Sequence, residues 1–169
     1  MEQSVEYIDI RLNYVDELFE NEVLKLIKPK KAGTKLHRNQ VLRWGSRIPY
    51  DNGIVSGKIP IIFDKLSNQI AFDSVTVNEY MEGQKIDWHI DKPASGNEIK
   101  IISLLSDSVL NFRLKDGYVS FEVPRFSMTT FGGDLRWLWE HSLLANEKRV
   151  SVVFRNSIEK INNLGIALK

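Results

Sequence analysis

The sequence predicts an α+β domain whose C-terminal half is a β-sandwich or barrel. Two observations lead to this prediction. Two segments within the first 72 residues repeat apolar side chains every three to four positions, as amphipathic helices do. From residue 74 onward, short β-branched or aromatic segments alternate every second residue and are broken by turn dipeptides. Helices followed by a run of such strands are typical of α+β folds.

The composition fits one globular domain. The 169 residues are 43% hydrophobic and 27% charged, with a net charge of +1, so a sizeable core is possible and no global field indicates nucleic acid. The absence of cysteine excludes disulfides, thiolate zinc sites and cysteine nucleophiles. No apolar run reaches the roughly 20 residues of a membrane span, and the N-terminus does not look like a secretory signal. We therefore expect a single domain over residues 1–169, soluble, cytoplasmic and monomeric.

The N-terminal part contains one predicted strand and two predicted helices. Val5–Arg11 alternates apolar and polar residues, as a strand does. The first helix is predicted to begin at Asn13, a residue type that caps helices, and to end at Pro29. The second is predicted from Pro60, which suits a first helical turn, to Ile70. Both helices are expected to brace the fold from outside.

A basic segment, Lys30–Tyr50, lies between the two predicted helices. It carries seven potential cations, two large aromatic residues and no acidic residue. Cations that meet phosphates and aromatic faces that stack on unpaired bases are what a nucleic-acid surface requires. A strand pair with a solvated basic face would look the same, and this pattern alone does not choose between them. The candidate substrate contacts in the segment are Arg38, Arg43, Trp44, Arg47 and Tyr50.

Seven strands are predicted in the C-terminal half. Asp107-Ser108, Asp116-Gly117 and Gly132-Gly133 are turn signals between them. The predicted strands are Ser74–Met81, Ile99–Ser106, Val109–Leu114, Tyr118–Val123, Phe126–Phe131, Leu135–His141 and Arg149–Phe154.

A candidate metal site begins with His89 and Asp91. Alternate side chains of an extended chain share a face, so an imidazole and a carboxylate two residues apart can reach one iron-sized ion. Chance produces such a pair often enough that it needs support. Because His37 sits in the basic segment without a nearby carboxylate, His141 is the remaining imidazole for a three-ligand site with open positions. Trp88 is either a wall of a substrate pocket or core packing beside the metal.

Two predicted strands carry polar side chains on one face. In Ser74–Tyr80, the face that holds Asn78 and Tyr80 would line a wet cavity if it turned inward. In Arg149–Arg155, two arginines share a face with a serine on a strand otherwise made for burial, which is costly unless they meet anions. The arginines could grip both ends of a small dicarboxylate. Alternatively, they reach the strand ends and pair with surface acids.

Taken in order, these motifs resemble the AlkB-like branch of the iron(II)- and 2-oxoglutarate-dependent dioxygenases. The similarity runs from about Arg38 to Asn156. It rests on Asn78-x-Tyr80, Gly83, His89-x-Asp91, His141 and Arg149-x-Ser151-x-x-x-Arg155, with Trp44-Gly45, Ile102-Ser103-Leu104 and Gly133-Asp134-Leu135-Arg136-Trp137-Leu138-Trp139 as supporting matches.

The resemblance implies a double-stranded β-helix, or jelly roll, at about residues 73–157, preceded by a helical and lid extension at about 1–72. It implies a reaction that consumes O2 and 2-oxoglutarate, releases succinate and CO2, and hydroxylates a C–H bond, so that an N-methyl group would leave as formaldehyde. Within the implied site, Arg149 meets the distal carboxylate and Arg155 lies nearer the iron. The implied Fe(II) ligands are His89, Asp91 and His141, and the implied 2-oxoglutarate contacts are Asn78, Tyr80, Arg149, Ser151 and Arg155.

The function implied is oxidative demethylation of alkylated bases in DNA or RNA. One departure lies at Lys92-Pro93-Ala94-Ser95, where members that repair bases are expected to carry an acid for the cationic methylated base. A lysine would repel such a base, although Glu98 would substitute if the loop folded back. The short interval Ser142–Lys148 predicts a tight hairpin. The alternatives are the same chemistry on a protein side chain or small molecule, and a noncatalytic jelly-roll binding module.

Overall fold

The computed structural model describes residues 7–31, 33–46 and 55–157 and consists mainly of strands. Two α-helices, α1 (Glu17–Leu24) and α2 (Asp134–Trp137), accompany them, together with 3₁₀ helices at Ile61–Leu66 and Pro93–Ser95. The strands are β1 (Tyr7–Arg11), β2 (Gln40–Ser46), β3 (Val55–Ser56), β4 (Ser74–Tyr80), β5 (Lys85–His89), β6 (Ile99–Leu104), β7 (Ser108–Leu114), β8 (Gly117–Val123), β9 (Met128–Gly132), β10 (Glu140–Leu144) and β11 (Arg149–Arg155).

The strands form two antiparallel sheets. The larger has seven strands in the order β1-β9-β6-β11-β4-β2-β3, and the smaller has four in the order β5-β10-β7-β8. From β4 onward the chain crosses between the sheets six times, after β4, β5, β6, β8, β9 and β10. This winding gives the predicted jelly roll.

Two apolar cores lie on opposite faces of the seven-stranded sheet. On the outer face, Phe19 of α1 and Phe63 of the first 3₁₀ helix pack against Val75, Val152 and their neighbours. Between the sheets, a second core joins residues of the large sheet, such as Phe131, to residues of the small one, such as Phe112. The N-terminal helices, α1 and the first 3₁₀ helix, therefore pack outside the sandwich, as predicted, whereas Leu135 of α2 joins the core between the sheets.

The alternation of β4 and β11 follows the prediction. Val75 and Val77 of β4 belong to the outer core, as do Val150, Val152 and Phe154 of β11. The polar faces of the two strands turn inward and line one internal cavity. Period-two patterning therefore places the predicted polar residues between the sheets.

The N-terminal helices are shorter than predicted. Asn13 is not the cap of α1, because its backbone is left-handed, with φ 50°. Asp16 is the cap instead: it is extended, and its carboxylate accepts a 2.9 Å hydrogen bond from the Phe19 N–H. The segment after Pro60 is a 3₁₀ helix that stops at Leu66, where the Ser67 hydroxyl donates to the Asp64 carbonyl.

Two predictions for the C-terminal half are wrong. The strand Leu135–His141 is instead the short helix α2 followed by β10, because the left-handed Gly133 breaks the extended chain and its carbonyl accepts from the Arg136 N–H. Ser142–Lys148 is not a hairpin, since β10 continues to Leu144 and β11 begins in the other sheet. The other six predicted strands begin and end within two residues of the observed ones.

Candidate metal and cosubstrate site

Strands β5 and β10 bring the two predicted histidine ligands together. His89 and His141 are directly paired in the ladder, and their ring centroids lie 4.2 Å apart. Asp91 follows two residues after His89, and one potential ligand atom from each of the three residues lies within 4.8 Å of the others. Within the described part of the chain, this is the one group of three such residues with metal-binding geometry.

The hydrogen bonds of the triad fix which atoms converge. The Nδ1–H of His89 donates to the Asp87 carbonyl at 2.8 Å, which leaves Nε2 as the ligand atom. His141 Nε2 lies 3.6 Å from Asp91 Oδ2. Two neutral imidazole nitrogens and one carboxylate oxygen are the donor set of mononuclear Fe(II) sites that keep positions open. The residues therefore fit the predicted iron.

The protonation states of the triad also suit a divalent cation. Burial raises the pKa of Asp91, but Arg155, whose Nη2 lies 2.8 Å from Oδ1, and the two histidines bring it well below its usual range. Burial and the neighbouring His89 lower the pKa of His141 to about 3, against an opposing effect of Asp91. At neutral pH the site therefore presents a carboxylate and an unprotonated imidazole, which metal binding requires.

The five predicted 2-oxoglutarate residues line the cavity beside the triad. Their positions are set by the pairing of β4 with β11, which places Arg149 opposite Tyr80 and Ser151 opposite Asn78. Burial raises the pKa of Tyr80, so its hydroxyl is a neutral donor. Arg155 lies at the metal end, where it contacts Asp91.

Arg149 is the most unusual of these residues. It is 1% exposed, and its Nη2 donates to the Ser103 hydroxyl at 3.3 Å. Its Nε and Nη1 have no hydrogen-bond partner among the described residues. A buried guanidinium with donors that no described residue meets fits an anionic ligand, as the distal carboxylate of 2-oxoglutarate would be.

An open groove of about 510 Å³ leads to the triad. Arg38, Arg43 and Trp88, all predicted substrate contacts, line it. Arg38 also reaches the inner cavity, where its Nη1 donates to Asn78 Oδ1 at 3.0 Å. Trp88 packs at the rim, with the Arg113 guanidinium 4.4 Å from its ring. Two predicted contacts from the basic segment and one from β5 therefore line the same opening.

The remaining predicted substrate contacts do not line the described groove. Trp44 lies on the other face of β2 and packs on the outer core, with its ring 6.3 Å from that of Phe63. Arg47 and Tyr50 lie outside the described residues. Glu98 hydrogen-bonds with Tyr7 and Lys100 in a different pocket, so it does not replace the missing acid in the groove, which Lys92 lines.

Sequence reasoning missed the role of Arg136. The side chain is 1% exposed and donates to three backbone carbonyls of the loop that begins at Asp91. A charged residue inside the apolar run that precedes His141 is the only signal the sequence offers for it.

Comparisons with known proteins match the fold and the motifs. The chain is 40% identical over 73 residues to tRNA (carboxymethyluridine(34)-5-O)-methyltransferase ALKBH8 of Macaca fascicularis, which is 42% of this chain and 11% of that protein. It is 34% identical over 124 residues to the Xenopus tropicalis protein of the same name, which is 64% of this chain and 20% of that protein. An uncharacterised protein of Acanthamoeba polyphaga mimivirus is 28% identical over 136 residues, covering 66% of this chain and 65% of that protein. No model of a protein family matches the chain.

The structure of OsALKBH1 superimposes with a TM-score of 0.63 at 17% sequence identity, over 88% of this chain and 97% of that one. The chain is AlkB-like in sequence and fold. The predicted resemblance and the jelly-roll fold class are thereby confirmed. The AlkB-like chain spans less than two thirds of each of the three relatives matched by sequence, so their activities are not carried over directly. Among the described residues, none of the helices has the length and apolarity of a membrane span.

Proposed function

We propose that this AlkB-like protein is an Fe(II)- and 2-oxoglutarate-dependent dioxygenase that oxidises a modified base in nucleic acid. The observation that carries the proposal is the joint placement of two sites. The triad of His89, Asp91 and His141 converges within 4.8 Å, and the buried Arg149 lies in the same cavity with two nitrogens that have no described hydrogen-bond partner. A metal triad alone would fit many ions, whereas the added arginine calls for an anionic cosubstrate.

The bound groups would supply the oxidation: together, Fe(II), 2-oxoglutarate and O2 convert a C–H bond to C–OH, with release of succinate and CO2. The residues of the chain would position the cosubstrate and the metal ligands. Arg149, Tyr80 and Ser151 would hold the distal carboxylate by charge-assisted hydrogen bonds at the closed end of the cavity. Arg155 holds Asp91 Oδ1, so that Oδ2 faces His141 Nε2. Arg149, Tyr80 and Ser151 are all buried, so their side chains are shielded from bulk water.

The groove favours a nucleobase with nearby phosphates. Two of its apolar residues are well exposed, Leu36 at 59% and Ile90 at 41%, which suits contact with the faces of a flat ring. Arg38 and Arg43 stand beside them and would meet phosphates. The relatives named ALKBH8 are named for a reaction on tRNA, which supports nucleic acid as the substrate class. Lys92 at the groove disfavours a cationic methylated base.

Succinate formation tests the chemistry. The protein would be supplied with Fe(II), 2-oxoglutarate and RNA or DNA oligonucleotides that carry single methylated bases, both cationic and neutral. We expect succinate and loss of one methyl group from the same oligonucleotide, favouring neutral bases, and neither product with His141→Ala. Turnover coupled to peptides and to none of the oligonucleotides would contradict the nucleic-acid assignment.

Binding tests the groove separately. Arg43→Glu is expected to weaken binding of a labelled single-stranded oligonucleotide by about tenfold or more, because an attraction to phosphate becomes a repulsion. Lys115→Glu makes the same charge change at an exposed turn that does not line the groove, and it should leave the dissociation constant close to that of the parent. Equal losses in the two variants would mean that only overall charge matters.

A further inference from the structure

We propose that Arg136 is the positioning residue that fixes the main chain of Asp91 and so sets the geometry of the metal triad. The proposal rests on the proposed function only in taking His89, Asp91 and His141 as metal ligands. Arg136 contacts none of the reacting groups and would act through Asp91 alone.

The guanidinium of Arg136 donates to three carbonyls of one loop. Its Nη1 donates to the Asp91 carbonyl at 2.9 Å, its Nη2 to the Lys92 carbonyl at 2.8 Å and its Nε to the Gly96 carbonyl at 3.1 Å. All three types of donor in the planar fork are thereby used, on a segment that contains the 3₁₀ helix Pro93–Ser95. A lysine has one ammonium and cannot reproduce this fork.

Arg136 and Arg155 hold Asp91 by different groups. Arg136 fixes its main-chain carbonyl, and Arg155 fixes its carboxylate through Oδ1 at 2.8 Å. The remaining oxygen, Oδ2, faces His141 Nε2. Because Arg136 belongs to α2, only five residues before His141, it ties the loop of the second predicted ligand to the strand of the third.

The energetics indicate a role beyond packing. Arg136 is 1% exposed, and its charge is met by carbonyl oxygens and by the Trp137 ring, whose centroid lies 4.4 Å from Cζ. Burying a guanidinium is expensive, and the three described side-chain hydrogen bonds of Arg136 all go to the loop that contains Asp91. Side chains that orient metal ligands commonly change metal affinity by 10- to 100-fold when they are removed.

Calorimetric titration with Mn(II) tests the assignment without turnover. Arg136→Met is expected to bind Mn(II) about 10- to 100-fold more weakly than the parent. Arg136→Lys should also bind more weakly than the parent, and it carries the test if the methionine variant does not fold. The electron paramagnetic resonance spectrum of bound Mn(II), which reports the symmetry of the ligand set, should change in both variants.

Arg125→Met is the matched control. It removes a half-buried arginine whose guanidinium donates to the buried carboxylate of Glu20 of α1, on the outer side of the large sheet. The control should lower thermal stability while it leaves Mn(II) affinity and the resonance spectrum as in the parent. Parental affinity in a folded Arg136→Met, full affinity in Arg136→Lys, or equal losses in Arg125→Met would each overturn the proposal. Absence of Mn(II) binding by the parent would instead contradict the proposed function.

Discussion

Replacing Arg149 with methionine should stabilise the protein in the absence of 2-oxoglutarate while abolishing binding of that molecule. Burial lowers the pKa of Arg149 to about 10. At about 1.4 kcal/mol per pH unit, burial therefore costs the charged form about 3 kcal/mol. Because the folded pKa is the lower one, the cost applies at every pH below about 10 and fades above it.

The net gain is smaller than this cost. The hydrogen bond from Arg149 Nη2 to Ser103, 3.3 Å long, contributes about 1 kcal/mol and is lost in the variant. Methionine has a flexible side chain that fills much of the same space. We therefore expect Arg149→Met to raise the free energy of unfolding by about 2 kcal/mol, or the melting temperature by roughly 4–8 °C for a chain of this size.

Urea denaturation with and without ligand checks both halves of this prediction. In the parent saturated with Mn(II), 2-oxoglutarate at 100 times its dissociation constant should add about 2.7 kcal/mol to the free energy of unfolding. In Arg149→Met, 2-oxoglutarate should add nothing to the effect of Mn(II). Arg113→Met, which removes an exposed pair with Glu140, should shift the free energy by less than about 1 kcal/mol. A ligand-free Arg149→Met that is less stable than the parent by 1 kcal/mol or more would refute the reasoning.

Two further predictions concern stability. Burial raises the pKa of Glu20, but hydrogen bonds from Arg125 and a backbone N–H hold it below its ordinary value. The ionised carboxylate therefore stabilises the fold above about pH 4.5, and this contribution is lost as the pH falls through the pKa of the folded protein. Glu20→Gln should therefore be less stable than the parent by about 2 kcal/mol at pH 7, and this difference should shrink as the pH falls below about 4.5, by urea denaturation. Gly45→Ala would place a Cβ 2.2 Å from the Asp73 carbonyl oxygen, so this variant should not fold. At Gly83, where φ is 79°, an added Cβ meets nothing within 4 Å, so Gly83→Ala should lower the free energy of unfolding by only about 1 kcal/mol, measured by thermal melting. Similar melting temperatures for the two alanine variants would contradict this distinction.

The inner faces of β4 and β11 were predictable because successive side chains of a strand point to opposite faces of the sheet. Val75 and Val77 of β4 and Val150, Val152 and Phe154 of β11 face the outer core. The opposite face of each strand lines the cavity, and on that face only Val153 is aliphatic. The same rule shows why the predictions for Arg43 and Trp44 could not both hold. Neighbouring residues of a strand point to opposite faces, so when Arg43 lines the groove, Trp44 must pack on the core.

In the segment before His141, the spacing of apolar residues does not distinguish a strand from a helix. It contains Leu135, Trp137, Leu138 and Trp139 close together, and such a run suits a buried strand or a helical turn equally well. The deciding feature is the left-handed Gly133, which ends β9 and lets the next residues turn. The partners of Arg136 were equally hidden, because they are carbonyls of a loop about 40 residues earlier, and a carbonyl has no side-chain signature.

The buried arginines of the site can be distinguished by what meets their charge. Arg136 donates to three carbonyls and Arg155 to the Asp91 carboxylate, so each fixes part of the protein. Arg149 has one described hydrogen bond and is equally buried, so its charge is expected to be met by a ligand. The two methionine variants should therefore move stability in opposite directions. Arg136→Met leaves three carbonyl acceptors without this donor and should lower the free energy of unfolding. Arg149→Met removes an uncompensated charge and should raise it. Destabilisation by both substitutions would mean that Arg149 serves the fold rather than a cosubstrate.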